Sequence, residues 1–337
     1  MTTPCSHRTI AVRTLAPTGP SRRWALLSLA LSACGGALNA GSDQPLDTRN
    51  PVILCNDGAT DNWQGEYAAL LAGTGAISLS GIIISTGGVW SNLQDNLSGW
   101  QEMMSAASQS GLSQSGLPLP TPMASASDPL VEPADGNIHH TVFNASDGAN
   151  LILTASLAST RPLVVITGGR LTDIAEAYVL DPTVANRIFV VSSLGSLNLM
   201  GTPNGEMDPW ADVIVSQQLR YIQVSDFQDY DQTADLNPSI LAQLPENPFT
   251  DWIKKKQPGI WTDDLAADQV AVAAFAIPGF VSALPQHVAP VGTDSSGSPI
   301  LVSNAAGPVQ VIAHINPAPA TARFRAMLLD PTTFRTD

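Results

Sequence analysis

The chain has 337 residues, 44% of them hydrophobic, with no glycine period, which excludes a disordered chain and a collagen-like one. Only 13% of residues are charged, and 29 Asp and Glu stand against 15 Lys and Arg, a net charge of −14. That balance argues against a nucleic-acid backbone as partner, which needs clustered basic residues, and suits a protein that gathers cations or binds a neutral small molecule.

Residues 1–33 hold four arginines (Arg8, Arg13, Arg22, Arg23) and no acid. Trp24 to Ala33 follows as a short apolar core, well below the roughly 20 residues that span a bilayer. The pattern fits an export signal, a basic segment followed by an apolar one. Leu31-Ser-Ala-Cys34 reads as a lipobox, small residues before a cysteine that receives lipid. Ser21-Arg22-Arg23 hints at twin-arginine export. Cleavage before Cys34 leaves 11 basic against 29 acidic residues, a net −18 over residues 34–337. Cys5 leaves with the signal, Cys34 carries lipid, and Cys55 stays alone, so no intramolecular disulfide is expected. Residues 34–50, rich in Gly, Ala, Ser and Asp, read as a flexible tether, followed by one domain over 51–337.

From there short apolar runs alternate with helical stretches. Strands are expected at Val52–Cys55, Ile82–Ile84, Leu163–Ile166, Ile188–Val191 and Tyr221–Val224. Helices are expected at Asp61–Ala72, Ser91–Ala107 with Ser91 as cap, Asp147–Ala158, Leu171–Leu180, Pro209–Gln218 and Leu265–Ala276. Residues 108–136 are rich in Ser, Pro and Gly and read mostly as loop; the tail from about His287 carries short strands and a last helix near Ala320–Leu329. Strands alternating with helices imply an α/β fold, a mostly parallel central sheet with helices on both faces and a Rossmann-like core. In such a sheet ligands bind outside the carboxyl ends of the strands.

At those ends the chemistry concentrates. Cys55-Asn-Asp57-Gly-Ala-Thr-Asp61-Asn62 puts two carboxylates and two amides on one strand-to-helix turn. Such hard oxygen donors suit Ca²⁺ or Mg²⁺, and Asp and Asn also suit a helix cap. Thr167-Gly-Gly-Arg-Leu-Thr-Asp-Ile-Ala175 is a Gly-rich turn that lets backbone approach a ligand. Asn204-Gly-Glu-Met-Asp208-Pro209 precedes another helix. Asp268 is a lone acid on an apolar helix and needs a partner, a metal or an arginine.

Together these segments resemble the nucleoside hydrolase family, the inosine/uridine-preferring N-ribohydrolases, over most of residues 51–330. Asp57, Asp61 and Asn62 take the second to fourth acids of that family's DxDPGxDD signature. Gly169–Ala175 is similar to its GPLTNIA segment, Asn204, Asp208 and Pro209 to its NxxxDP stretch, and Ala267–Ala273 to its HDxxAVA helix. The resemblance implies a Ca²⁺ bound by Asp57, Asn62, Asp268 and the Thr167 carbonyl. It implies Asp57 as general base on a water that the metal activates, and Asp61 and Asn204 as donors and acceptors for ribose hydroxyls. The implied activity is hydrolysis of the N-glycosidic bond of a ribonucleoside or related ribosyl compound.

The sequence departs from the family at Cys55 for the first acid, Asn62 for the fourth, Ala267 for the His, Thr202 for a common Glu, and around Gly87-Gly88. An amide oxygen in place of a carboxylate lowers the ligand charge, so calcium should bind more weakly. These departures support the alternative of a non-catalytic ligand-binding or structural surface lipoprotein on the same fold. Trp63, Trp90, Trp210 and Trp261 lie near the strand ends and serve either a planar ligand or the core. His139-His140 either assist a leaving group or form a solvated loop pair. No histidine or cysteine spacing supports zinc. Gly35 follows Cys34 where an Asp goes with inner-membrane retention, which favours the outer membrane in a Gram-negative host. The sequence leaves the substrate and the oligomeric state, a homo-oligomer included, open.

Overall fold

The computed structural model describes residues 46–58, 64–87, 91–125, 128–193, 203–224, 238–256 and 268–330. The export signal, Cys34 and residues 35–45 of the expected tether lie outside that set. The last part of the tether is corrected: residues 46–50 pack on the domain. Leu46 and Asn50 are buried, Asn50 Nδ2 donates to the Pro162 carbonyl, and Arg161 bridges Asp47 and Asn50.

The domain is built on β1 (Pro51–Asn56), β2 (Ser78–Ile84), β5 (Met123–Ala124), β6 (Leu163–Thr167), β7 (Ile188–Ser193) and β8 (Tyr221–Val224). They join β9 (Gln286–Thr293), β10 (Pro299–Ser303) and β11 (Val309–Ile312) in one sheet of order β10-β9-β11-β8-β7-β6-β1-β2-β5. From β11 to β5 every pair is parallel; β9 and β10 extend the sheet antiparallel. The mostly parallel sheet is as expected from sequence.

Both faces of the central strands are buried, with the side-chain alternation a strand imposes. Val52 and Leu54 of β1, Val164 and Ile166 of β6, and Phe189 and Val191 of β7 enter one core. Ile53 and Cys55, Leu163 and Val165, and Ile188 and Val190 enter the other. Helices α1 (Gln64–Gly73), α2 (Leu93–Gln109) and, late in the chain, 269–276 and 318–329 cover the first; α3 (Asp147–Ala158), α4 (Thr172–Leu180) and, after the short α5 (Pro203–Glu206), α6 (Pro209–Gln218) cover the second. Two further helices follow, α7 (Pro238–Leu241) and α8 (Pro248–Lys256), and the late pair are α9 (Gln269–Ala276) and α10 (Ala318–Leu329). No helix among the described residues is long and apolar enough to cross a membrane.

Local chemistry corrects two boundaries. Asn92, not Ser91, caps α2: its Oδ1 accepts from the Gln94 and Asp95 amides, two donors that the helix leaves orphaned. The 108–136 loop holds a short hairpin, β3 (Ser113–Gln114) and β4 (Leu117–Pro118), besides β5 at the sheet edge. Its turn residues Ser115 and Gly116 both have positive φ, as a tight two-residue hairpin turn needs.

The chain order sets the crevice. From β1 the chain runs to β2 and β5 on one side, then crosses to β6, β7, β8 and β11 on the other. The order reverses between β1 and β6, so the crevice lies beyond their carboxyl ends.

Candidate active site at the carboxyl ends of the central strands

The Thr167-Gly168-Gly169 turn leaves β6 beside β1, with the Gly168 amide donating to the Cys55 carbonyl. Two acidic residues from distant parts of the chain pack on its neighbouring glycines. A Cβ at Gly169 would lie 2.9 Å from the Asp57 amide nitrogen and 3.1 Å from Asp57 Cβ. One at Gly168 would lie 2.5 Å from Asp268 Cβ and 2.6 Å from Asp268 Oδ2. Consecutive Cα atoms are about 3.8 Å apart, so the turn holds Asp57 and Asp268 side by side. Only glycines allow this approach.

Polar side chains fix the pair. Ser193, the last residue of β7, donates from Oγ to Asp268 Oδ1 at 2.8 Å and also reaches the Thr167 carbonyl at 3.5 Å. Asn56 donates from Nδ2 to Asp268 Oδ2 (3.2 Å) and to Gln64 Oε1 (2.8 Å), while its Oδ1 accepts the Gly58 amide at 2.7 Å. Asn96 donates to the Asp57 and Ser85 carbonyls, and Trp100 Nε1 to the Gly58 carbonyl. The Asp57 carboxylate lies against Gly87, where a Cβ would stand 2.7 Å from both Asp57 Cγ and Met207 Sδ. Met207 follows α5, which carries Asn204; that side chain is 8% exposed and makes no hydrogen bond to the described residues.

The structure therefore brings Asp57, Thr167 and Asp268 together and places Asn204 on the adjoining segment. Asp61 and Asn62 lie outside the described residues, as do Thr202, Ala267, Gly88, Trp63, Trp90 and Trp261. Asp57, Asp268 and the Thr167 carbonyl are hard oxygen donors around one glycine turn, a set that fits a divalent cation such as Ca²⁺. Among the described residues no three His, Cys, Asp or Glu side chains form a metal cluster.

Other acids at the strand ends serve the scaffold. Asp208 caps α6 through the Ala211 amide, and its Oδ2 accepts from Thr172 Oγ1 and the Leu130 amide; burial pushes its pKa up against those bonds. Trp210 is buried with Nε1 on Thr141 Oγ1, a packing role. His139 and His140 lie in an exposed turn, and His140 pairs with Asp135, so they form a solvated loop pair. Cys55 is buried in the α3/α4-side core, and burial, with Asp173 nearby, raises its thiol pKa well above the ordinary value, so it stays a protonated core thiol. Arg170 is buried with Nη2 on Thr86 Oγ1 at 2.6 Å, bringing a cationic side chain between the β2 and β6 ends.

Sequence reasoning missed Ser193 and Asn96, and counted Asn56 only among the oxygen donors of its turn. Asn56 adjoins a residue it did single out, and Ser193 closes a strand whose carboxyl end faces the crevice; their position was the available signal.

No protein-family model matches the chain, and no curated protein matches it. Solved structures do. An inosine-uridine preferring nucleoside hydrolase from Bacillus anthracis is 16% identical, with a TM-score of 0.55 over 83% of this chain and 99% of that one. An inosine-guanosine nucleoside hydrolase is 15% identical, with a TM-score of 0.58 over 83% and 99%. A purine-preferring ribonucleoside hydrolase from Gardnerella vaginalis is 15% identical, with a TM-score of 0.56 over 85% and 99%. Strand order, crevice and these likenesses agree that the chain has the nucleoside hydrolase fold.

Proposed function

We propose that the protein hydrolyses the N-glycosidic bond of a ribonucleoside or related ribosyl compound, with calcium in the crevice. The observation that carries this reading is the convergence of Asp57 and Asp268 on the Thr167–Gly169 turn at the sheet's order reversal. When bound, a divalent cation there supplies Lewis acidity that lowers the pKa of water. Asp57, Asp268, the Thr167 carbonyl and Asn62 would hold it. Asp57, packed between Gly87 and Gly169, takes the proton from the attacking water, a role worth about 10²–10⁴-fold in rate. Asn204, and Asp61 with it, bind sugar hydroxyls and orient the anomeric carbon. Ser193 and Asn56 hold the Asp268 carboxylate in place.

The test is ribose release by the 41–337 fragment from a panel of purine and pyrimidine nucleosides, with calcium and with chelator, and with Asp57→Ala as the blank. Release that needs both calcium and Asp57 supports the hydrolase reading. No release from any nucleoside moves the assignment to a ligand-binding lipoprotein, the reading favoured by a thiol at Cys55 in place of an acid.

We propose further that the protein is exported and anchored through lipid on Cys34. Mass spectrometry of the membrane-extracted protein should find a lipid-modified Cys34, and Cys34→Ser should release the protein to the soluble fraction. An unmodified Cys34 in the membrane-extracted protein overturns this.

A further inference from the structure

A cavity of about 720 Å³ opens at the other end of the sheet, away from the glycine turn. It is framed by Ala185 and Asn186 before β7, by Leu219 and Arg220 before β8, and by Gly307 and Pro308 before β11. Its size falls in the range of small-molecule sites, roughly 300–1,000 Å³. No Asp or Glu lines it. That is notable in a chain with 29 acids and 15 bases.

The cation in this wall is held but not neutralised. The Arg220 guanidinium stacks on the Phe189 ring at 3.8 Å, and its Nε donates to the Ile188 carbonyl at 3.2 Å. These two contacts fix the plane of the group and use one edge. Nη2 is buried and meets no acceptor among the described residues. Arg49, Arg161 and Arg187 all pair with aspartates; Arg220 pairs with none among the described residues. Burial also lowers its pKa, the cost of a desolvated charge without a counter-ion. At the rim, the His287 ring meets the Gly307 carbonyl at 3.0 Å through Nδ1.

We propose that this cavity binds a small oxyanion, a carboxylate or phosphate group, at the Arg220 guanidinium. A guanidinium spreads its charge over five N–H donors and suits the oxygens of one anion. The site lies at the opposite strand ends from the glycine turn, so it is separate from the hydrolase reading and does not depend on it.

The test uses the mature protein with inorganic phosphate and, separately, acetate as probes, against chloride at equal ionic strength. At about ten times the dissociation constant, a ligand of the folded state should raise Tm by about 3 °C over chloride. Arg220→Met should abolish the rise, while the circular dichroism spectrum stays as in wild type. Asn186→Asp, at an exposed rim position, adds a repelling carboxylate without disturbing the core and should weaken binding at least threefold by calorimetry. A larger effect of phosphate assigns the site to phosphate monoesters, and a larger effect of acetate to carboxylates. No rise beyond chloride overturns the proposal, as does a rise that survives in Arg220→Met. Should Arg220→Met not fold, unchanged affinity in Asn186→Asp overturns it.

Discussion

Gly168→Ala is the sharpest test of the candidate site. The new methyl would stand 2.5 Å from Asp268 Cβ and 2.6 Å from Asp268 Oδ2. Ordinary contacts between such atoms lie near 3.5–4.0 Å, so Asp268 or the turn must give way by about 1 Å. The two bonds that hold the carboxylate cannot follow. Ser193 Oγ to Oδ1 is 2.8 Å, and Asn56 Nδ2 to Oδ2 is 3.2 Å. A 1 Å displacement stretches both beyond hydrogen-bond range, and each bond to a charged group contributes about 1.5–3 kcal/mol. The expected loss of stability is therefore about 3 kcal/mol or more. A misplacement of 1 Å at a reacting centre costs about 10²-fold in rate, and calcium affinity should fall with it.

Calcium titration by calorimetry, ribose release and thermal unfolding together check this. Gly73→Ala is the control: its methyl would meet Leu112 Cδ2 at 2.5 Å in the core beneath α1, away from the crevice. It should lower Tm while leaving calcium affinity unchanged. A Gly168→Ala protein with wild-type Tm and calcium affinity within twofold would refute the packing argument for Asp268.

Three further outcomes follow from the same geometry. Asn62→Asp adds an anionic oxygen to the proposed calcium set and should tighten calcium about tenfold by calorimetry; unchanged affinity removes Asn62 from the set. Ser193→Ala deletes the donor to Asp268 Oδ1 and should weaken calcium 10- to 100-fold, the usual effect of losing a partner that orients a ligand, with the overall fold retained by circular dichroism. Asp212 of α6 is buried, its Oδ1 meets no donor, and burial, with Asp208 nearby, pushes its pKa to about 7. Because the folded value lies above the ordinary 3.8, the group favours folding at low pH, and this contribution fades as pH rises from about 4 to 7. The shift of about three units corresponds to about 4 kcal/mol. Denaturant midpoints should therefore drop between pH 4 and 8 in wild type and much less in Asp212→Asn; equal drops in the two proteins refute the assignment.

How much could be read from the sequence follows the range of the interactions. β6, β7 and β8 are centred on buried β-branched, aliphatic and aromatic residues whose strand type is fixed locally, and their ends fell within two residues of expectation. Asp57, Thr167 and Asp268 could be singled out because a strand end or an apolar run makes a polar residue conspicuous. The α2 cap was misplaced because Ser91 and Asn92 are both good caps, and only the backbone geometry at Asn92 decides between them. The bonds that Asn56 and Ser193 make to Asp268 were not legible, whatever their positions at strand ends suggested. Their roles depend on Asp268, which is 212 residues from Asn56 and 75 from Ser193, and no local pattern encodes that meeting. The Arg220 cavity was hidden for the same reason, since its walls come from four separate segments.

Counting acids at strand ends does not count metal ligands; the partner set of each carboxylate sorts them. Asp208 receives two backbone amides and a threonine hydroxyl, a full complement that ties α6 to α4 and to the 130 loop. Asp173 is bonded through Oδ1 by the Ser125 and Ser146 hydroxyls, and Ser146 in turn caps α3. Where the family pattern has Asn, this chain has Asp173, and where the pattern has its first Asp, this chain has Cys55. The replacement at 173 is thus a scaffold acid held by serines. The replacement at 55 sits on the α3/α4-side core, flanked by Ile53 on the same strand face. Asp57 and Asp268 differ from both, because both pack on one glycine turn beyond the carboxyl ends of β1 and β6, where the strand order reverses. On the proposed reading those two carboxylates would hold the cation while the departures from the family pattern lie around them, so calcium affinity is the quantity that tests that reading first.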